Sequence, residues 1–244
     1  MMEFRHAPSI WADFPELAAG VALIAGITAT GRSATLVASR TARFYASADA
    51  LLADASEADL PQTQAWRRAF ARMGLKPTQY RCASEALLRR YRKEGALPAI
   101  HPIVDLCNAI SMAYAVPVAV LDADRVTGSI EVRYASGTEN YLAFSGETEH
   151  PYTAEVIFAD DAANAHARRW TNRQSALSAV SEETTTALIV AEAMHESAAA
   201  DVADLIATIA AEAAAAWPAE VQSGMLSAGQ PVFPPRGVSA PSRR

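Results

Sequence analysis

The chain has 244 residues, 51% of them apolar, and a formal net charge of −6. That is enough chain to bury a sizeable core in one large domain, and an average charge that argues against indiscriminate nucleic-acid binding. Two cysteines, Cys82 and Cys107, are too few for a disulfide framework or a metal cluster. With no charged-then-apolar leader and no run of about eighteen apolar residues, a cytoplasmic protein is the expectation.

Residues 1–17 offer little beyond Trp11 and Phe14. Val21–Ile27, a compact apolar run bounded by glycines, predicts a buried strand. Ser33 to Ala55 is Ala-rich, with Leu36, Phe44, Leu51 and Leu52 at moderately helical spacing, and Asp54–Gln64 with Pro61 reads as a connector. Trp66, Phe70 and Met73 share one face of a helix that Gly74 can close. Ser84 is placed to cap a second helix with Leu87, Leu88 and Tyr91 inward and Gly95 at its end. Across these helices lie nine basic residues, Arg67, Arg68, Arg72, Lys76, Arg81, Arg89, Arg90, Arg92 and Lys93, and within that stretch only Glu85 opposes them. They are either good solvated helix formers or a phosphate-contacting platform that sets affinity for RNA without reading its sequence. Solvated faces usually mix signs, and this one does not.

The stretch from Leu97 to Ala135 organises the rest. Pro102 suits the first turn of a helix whose apolar stripe is Ile103, Leu106, Cys107, Ile110 and Tyr114, while Asp105 and Asn108, three apart, project from one face. Cys107 on that stripe reads as a core filler, since no paired base accompanies it. Val116–Leu121 is a buried strand, Asp122–Gly128 a turn, and Ile130, Val132 and Tyr134 alternate with polar residues as a half-buried strand.

Glu139–Phe144 predicts another strand, Gly146–Thr153 a polar loop with His150, and Ala154–Asp160 a strand followed by a turn over 161–165. His166 to Gln174 then packs Arg168, Arg169, Trp170, Asn172, Arg173 and Gln174 together. Two accounts are open: a strand pair locked by ion pairs to Asp160 or Glu155, or a polar pocket wall with Trp170 stacking on a base or forming the floor. Glu182–Ala216 reads as one long Ala-rich helix or two, started at Ser181 and carrying His195 as an ordinary helix residue. From Pro218 the composition turns to Pro, Gly, Ser and Arg, predicting a mobile tail over 218–244 behind a single folded domain of residues 1–217. The pattern as a whole is α+β, a central mixed β-sheet flanked by helices.

Several chemistries lack their signatures. Gly-x-Gly-x-x-Gly, Gly-x-x-x-x-Gly-Lys-Ser/Thr, His-Glu-x-x-His and Gly-x-Ser-x-Gly are absent, and the five histidines show no metal-ligand spacing.

Val104-Asp105-x-x-Asn108, Pro117 followed five residues on by Asp122, and Gly128-x-Ile130-x-Val132-Arg133-x-Ala135 occur in order and are continued by Arg168-Arg-Trp-Thr-Asn-Arg-Gln174. This combination resembles the editing domain of the phenylalanyl-tRNA synthetase beta subunit, and still more its freestanding bacterial relatives, the B-three/B-four tRNA-binding domain proteins, over about Trp66 to Thr186. The resemblance implies a tRNA partner presenting its aminoacylated acceptor end, and hydrolysis of a wrong amino acid's ester by a positioned water, without protein nucleophile, cofactor or metal. It points to Asn108 as the group that hydrogen-bonds the substrate carbonyl or water, against the alternative of satisfying a neighbouring backbone group. Asp105, Asp122 and Arg133 match the synthetase pattern; Asp105 also suits a helix-to-loop tether, and Asp122 a strand end that accepts turn amides. Glu155 is placed either to hold the amino acid's ammonium or to pair with Arg168, Arg169 or Arg173. One position departs: Ala119 stands where the synthetase domain commonly has a histidine that takes part in editing, and His101 is either the replacement for that imidazole or a structural histidine ahead of Pro102. Two other classes stay open, a non-catalytic RNA-binding adaptor and an amino-acid-binding protein or hydrolase that never meets RNA. Acidic residues from elsewhere covering the basic helices would favour the last.

Overall fold

The computed structural model describes residues 2–29 and 32–234; the end of the expected tail lies outside them. In chain order the elements are β1 (Phe4–His6), α1 (Pro8–Asp13), β2 (Ala18–Ala25), α2 (Arg32–Ala53), α3 (Pro61–Arg72), α4 (Ala83–Glu94), α5 (Pro102–Tyr114), β3 (Val118–Asp122), β4 (Ile130–Tyr134), β5 (Tyr141–Leu142) and β6 (Thr148–Glu149). There follow β7 (Val156–Asp160), β8 (Ala165–Arg168), β9 (Arg173–Gln174), β10 (Thr186–Ala193), α6 (Ala198–Ala216), β11 (Glu220–Leu226) and β12 (Val232–Phe233).

The fold is α+β with two principal sheets rather than the single central sheet expected from sequence. A four-stranded antiparallel sheet runs β11-β2-β10-β3, and a six-stranded mixed sheet runs β12-β1-β4-β7-β8-β9, mixed because β1 and β4 are parallel with Phe4 opposite Ile130. Alternate residues of β2 divide the core between them. Ala18, Ala22 and Ile24 meet Ile103, Leu106 and Ile110 of α5 and Val202, Leu205 and Ile209 of α6. Ala19 and Val21 turn the other way, toward Phe4, Ile130, Val132 and Phe158 of the six-stranded sheet and Trp66 and Phe70 of α3. The four-stranded sheet is therefore the middle layer, buried on both faces.

That burial explains the largest error of the sequence reading. Residues 186–193, expected in an Ala-rich helix from Ser181 to Ala216, form the strand β10 between β2 and β3. A strand buried on both faces needs no alternation, so Thr-Ala-Leu-Ile-Val-Ala-Glu-Ala offers no period-two signal; only Ala198–Ala216 is helical. The expected tail is corrected as well: β11 pairs with β2 along its length and β12 pairs with β1, so residues 220–226 and 232–233 belong to the sheets. Ser84 does not cap α4. The N-cap is Cys82, and the Ser84 hydroxyl donates to the Ala115 carbonyl at 3.0 Å.

Candidate functional site

α5 begins where the sequence reading starts it. His101 is the N-cap, its Nδ1 accepting the Ile103 N–H at 3.2 Å, and Pro102 occupies the first turn. With Nδ1 accepting, the proton of the neutral imidazole sits on Nε2, which is buried and has no hydrogen-bond partner. Burial pushes the His101 pKa down although Asp105 and Glu182 act the other way. Asp105 accepts the Ile100 N–H at 2.9 Å, the tether expected of it, and burial raises its carboxyl against that amide's pull. One turn on, Asn108 is half-buried, and its side-chain amide makes no hydrogen bond to the described chain. These three residues line a cavity of about 380 Å³ closed by Val37, Thr41 and Tyr45 of α2 and by the loop Leu97–Ile100.

Asn108 also borders a second cavity, of about 300 Å³, whose walls are Val104, Val118, Val120, Ala179 and Val180. Ile100 and Phe144, 63% and 72% exposed, line it too. Gln174 completes it and is held by its Nε2 donating to the Val120 carbonyl at 2.8 Å. Val118 and Gln174 are shared in turn with a small hollow of about 70 Å³, bordered by Ala119, Trp170, Asn172, Arg173 and Glu192. Trp170 forms one of its walls. The indole is fully buried, edge-on to Phe14 and Trp66 at 4.8 and 5.2 Å, and its Nε1 donates to Glu192 Oε1 at 2.9 Å. Stacking on a base is therefore closed to Trp170, and the pocket-floor role fits its position. Arg169 and Trp170 both hold positive φ, 49° and 57°, a costly pair that the surrounding packing must enforce. Glu192 also lies 2.6 Å from His6 Nε2, and its segment, helix-like in sequence, carries no local signal of this position.

The structure does not bring Glu155 to Asn108. Glu155 accepts Arg168 Nε at 3.0 Å and Nη2 at 2.6 Å, while Arg168 Nη1 and Arg173 reach Glu149. Burial alone would lower the Arg168 pKa, but Glu155 and Glu149 reverse that, so a charged guanidinium is locked between two carboxylates. Arg169 lies over the Tyr80 ring at 4.8 Å and borders, with Glu155, a separate cavity of about 170 Å³. Of the remaining predicted residues, Asp122 accepts the Asp124 N–H at 3.1 Å and the Thr184 hydroxyl at 2.7 Å. Arg133 donates to Glu139 at 2.6 Å, and Asn172 donates to the Arg81 carbonyl at 2.8 Å.

The basic stretch is less bare than its sequence suggests. Arg67 and Arg81 share the buried Glu85, Arg89 and Arg92 share the buried Glu57, Arg72 pairs with Glu16, and Arg90 with Glu94. Among the described residues Arg68, Lys76 and Lys93 are exposed and make no ion pair. No group of three or more His, Cys, Asp or Glu among the described residues is arranged to hold a metal, and none of their helices is long and apolar enough to cross a membrane.

The B3/4 domain family matches residues 65–215, more than half of the chain; the match includes Asn108 and Gln174 but not Val37, Thr41 and Tyr45 of α2, which wall the first cavity. The chain belongs to the B3/4 domain family. It is similar to the phenylalanine–tRNA ligase beta subunit of Haemophilus influenzae, 26% identical over 116 residues, which are 48% of this chain and 14% of that protein. The beta subunit of Photorhabdus laumondii is 28% identical over 99 residues, 41% of this chain and 12% of that one. The B3/4 chain thus spans a small part of these relatives' length. An N-terminal fragment of the phenylalanyl-tRNA synthetase beta subunit from Pyrococcus horikoshii aligns with it at a TM-score of 0.40 and 13% identity, over 49% of this chain and 41% of that one.

Proposed function

We propose that this B3/4 protein is a cytoplasmic tRNA-binding protein that removes wrongly attached amino acids, hydrolysing the aminoacyl ester with a positioned water and no protein nucleophile. Membership of the family and the similarity to phenylalanine–tRNA ligase beta subunits support the tRNA partner. The observation that carries the site is the unpartnered amide of Asn108, standing where two sizeable cavities meet.

In this reading the ester carbonyl lies at Asn108, whose N–H groups donate to the oxygen as it gains charge. Asp105, one turn earlier on the same face, accepts the amino acid's ammonium. His101 donates its Nε2–H to the water or the ribose oxygen. Water adds to the acyl carbon, the bond to the ribose oxygen breaks, and the water's proton passes to that oxygen. An amino-acid ester is already activated, so holding these groups in place is the main contribution required.

The test is to incubate the purified protein with tRNAs charged with each amino acid and follow ester loss. Asn108→Ala should slow deacylation roughly a hundredfold or more, the scale of losing one oxyanion donor; no loss of any ester with the unaltered protein rejects the proposal. A second reading, an amino-acid-binding protein or hydrolase that never meets RNA, is favoured by Glu16 and Glu57, which reach the basic helices from other elements. Failure to bind tRNA at low salt would select it.

A further inference from the structure

The two cavities on either side of Asn108 differ in chemistry, and the difference bears on which amino acid is removed. The larger is bordered by His101, Asp105, Thr41 and Tyr45. The other is a cage of Val104, Val118, Val120 and Val180 with two neutral amides, Asn108 and Gln174, and no ionisable side chain in its lining. Gln174 spends one N–H on the Val120 carbonyl, and Asn108 is committed to the ester in the reading above. We infer that this cage receives the side chain of the amino acid, and that the substrates are large apolar aminoacyl groups, aliphatic or aromatic. The inference rests on the proposed deacylation and supplies its substrate class.

Three observations carry it. A charged side chain placed against these valines would lose part of its hydration with no opposite charge in the lining to meet it, an unfavourable exchange. A hydroxyl is rejected more mildly, because an apolar pocket discriminates an isostere bearing one extra hydroxyl by about a hundredfold. Secondly, about 300 Å³ leaves glycine or alanine without contacts on most sides, whereas leucine or phenylalanine brings its own dispersion partners. Thirdly, Ile100 and Phe144 are two of the three large apolar side chains that are exposed in the described chain, and both border this cavity. An apolar ligand would cover surface that is otherwise left in water.

Binding can be read separately from catalysis with non-hydrolysable 3′-aminoacylamino-adenosines carrying leucyl, phenylalanyl, seryl, aspartyl or lysyl groups, titrated into the full chain. Leucyl and phenylalanyl forms should bind at least tenfold tighter than seryl and a hundredfold tighter than the charged ones. Val180→Asp, which puts a carboxylate into a loop position of the cage, should erase the preference for leucyl over lysyl. Phe144→Ala should weaken the leucyl form several-fold with the melting temperature unchanged, a check available even if the aspartate variant folds poorly. Equal or tighter binding of the seryl or charged forms, or no binding of any form, overturns the inference. In the parallel ester assay, deacylation confined to serine, aspartate or lysine leaves editing standing and sinks the apolar cage. Binding of the leucyl form with no ester lost sinks editing and keeps the cage.

Discussion

Glu139 shows a conspicuous carboxylate committed to the chain's own architecture. It is fully buried and accepts the Ser136 N–H at 3.0 Å, the Gly137 N–H at 3.1 Å and Arg133 Nη1 at 2.6 Å. Burial alone would raise its pKa, but the Ser136 amide and the Arg133 guanidinium win and bring it down from 4.5 to about 2. A depressed native pKa means that the unfolded chain takes up the proton first as pH falls, so this stability is complete above 4.5 and is lost on the way to about 2. Glu139→Gln should therefore cost about 3 kcal/mol at pH 7, and urea midpoints of variant and parent should converge near pH 2. A gap that stays constant with pH would contradict the assignment. The same accounting separates Glu155, saturated by Arg168, from Asn108, whose side-chain amide makes no hydrogen bond among the described residues. Both cysteines are spoken for by packing: burial pushes the Cys82 thiol up to about 11 and raises that of Cys107 as well. Neither is a ready nucleophile near neutral pH.

At the scale of elements, the middle sheet explains both what could be read and what could not. α5 is announced by local signals, since Pro102, the apolar stripe and the Asp105–Asn108 spacing all act within one helix. β10 is announced by nothing local, because its identity comes from β2 and β3 on either side and from a layer above and below. Gly20 marks how closely α6 crosses β2. A Cβ there would lie 2.6 Å from Ile206 Cγ1 and 2.9 Å from Val202 Cγ1. Gly20→Ala should accordingly destabilise the protein by about 1–3 kcal/mol through overpacking, despite alanine's usual entropic advantage over glycine. Thermal melts of the variant check this, and Ile206→Ala, which removes the offending Cγ1, should cost less in the Gly20→Ala chain than in the parent. Full additivity of the two changes would show that they do not share a contact.

Across the whole molecule the charge distribution decides how RNA would be met. Glu16, Glu57, Glu85 and Glu94 stand against the nine cations of residues 67–93, leaving a surplus of five. If tRNA binding uses that surplus, log Kd should change with log salt concentration with a slope of magnitude about 4, not the 7 or so expected were all nine cations free. Substituting Arg68, Lys76 and Lys93 together should weaken binding and lower the slope by roughly two units, measured by titration between 50 and 200 mM salt. An unchanged slope would place the RNA on another surface. Arg90 pairs with the exposed Glu94, so its removal should matter little to folding, whereas removing Arg89 and Arg92 together would leave the buried Glu57 carboxylate without its cations and should destabilise the protein.

What the sequence determined by itself was whatever depends on neighbours in the chain: the glycine-closed helices α3 and α4, the proline-started α5, the strands β2, β3, β4 and β7, and the ordered residues that resemble the editing domain. Local spacing fixes backbone periodicity, and periodicity identifies such elements. Only the tertiary structure decided that β10 and β11 are strands, that Glu57 and Glu16 meet the basic helices, that Glu155 belongs to Arg168, and that Asn108 is left between two cavities. Each of these depends on residues far apart in the chain being placed within a few ångströms of one another, where desolvation and pairing act and where no local pattern can reveal them.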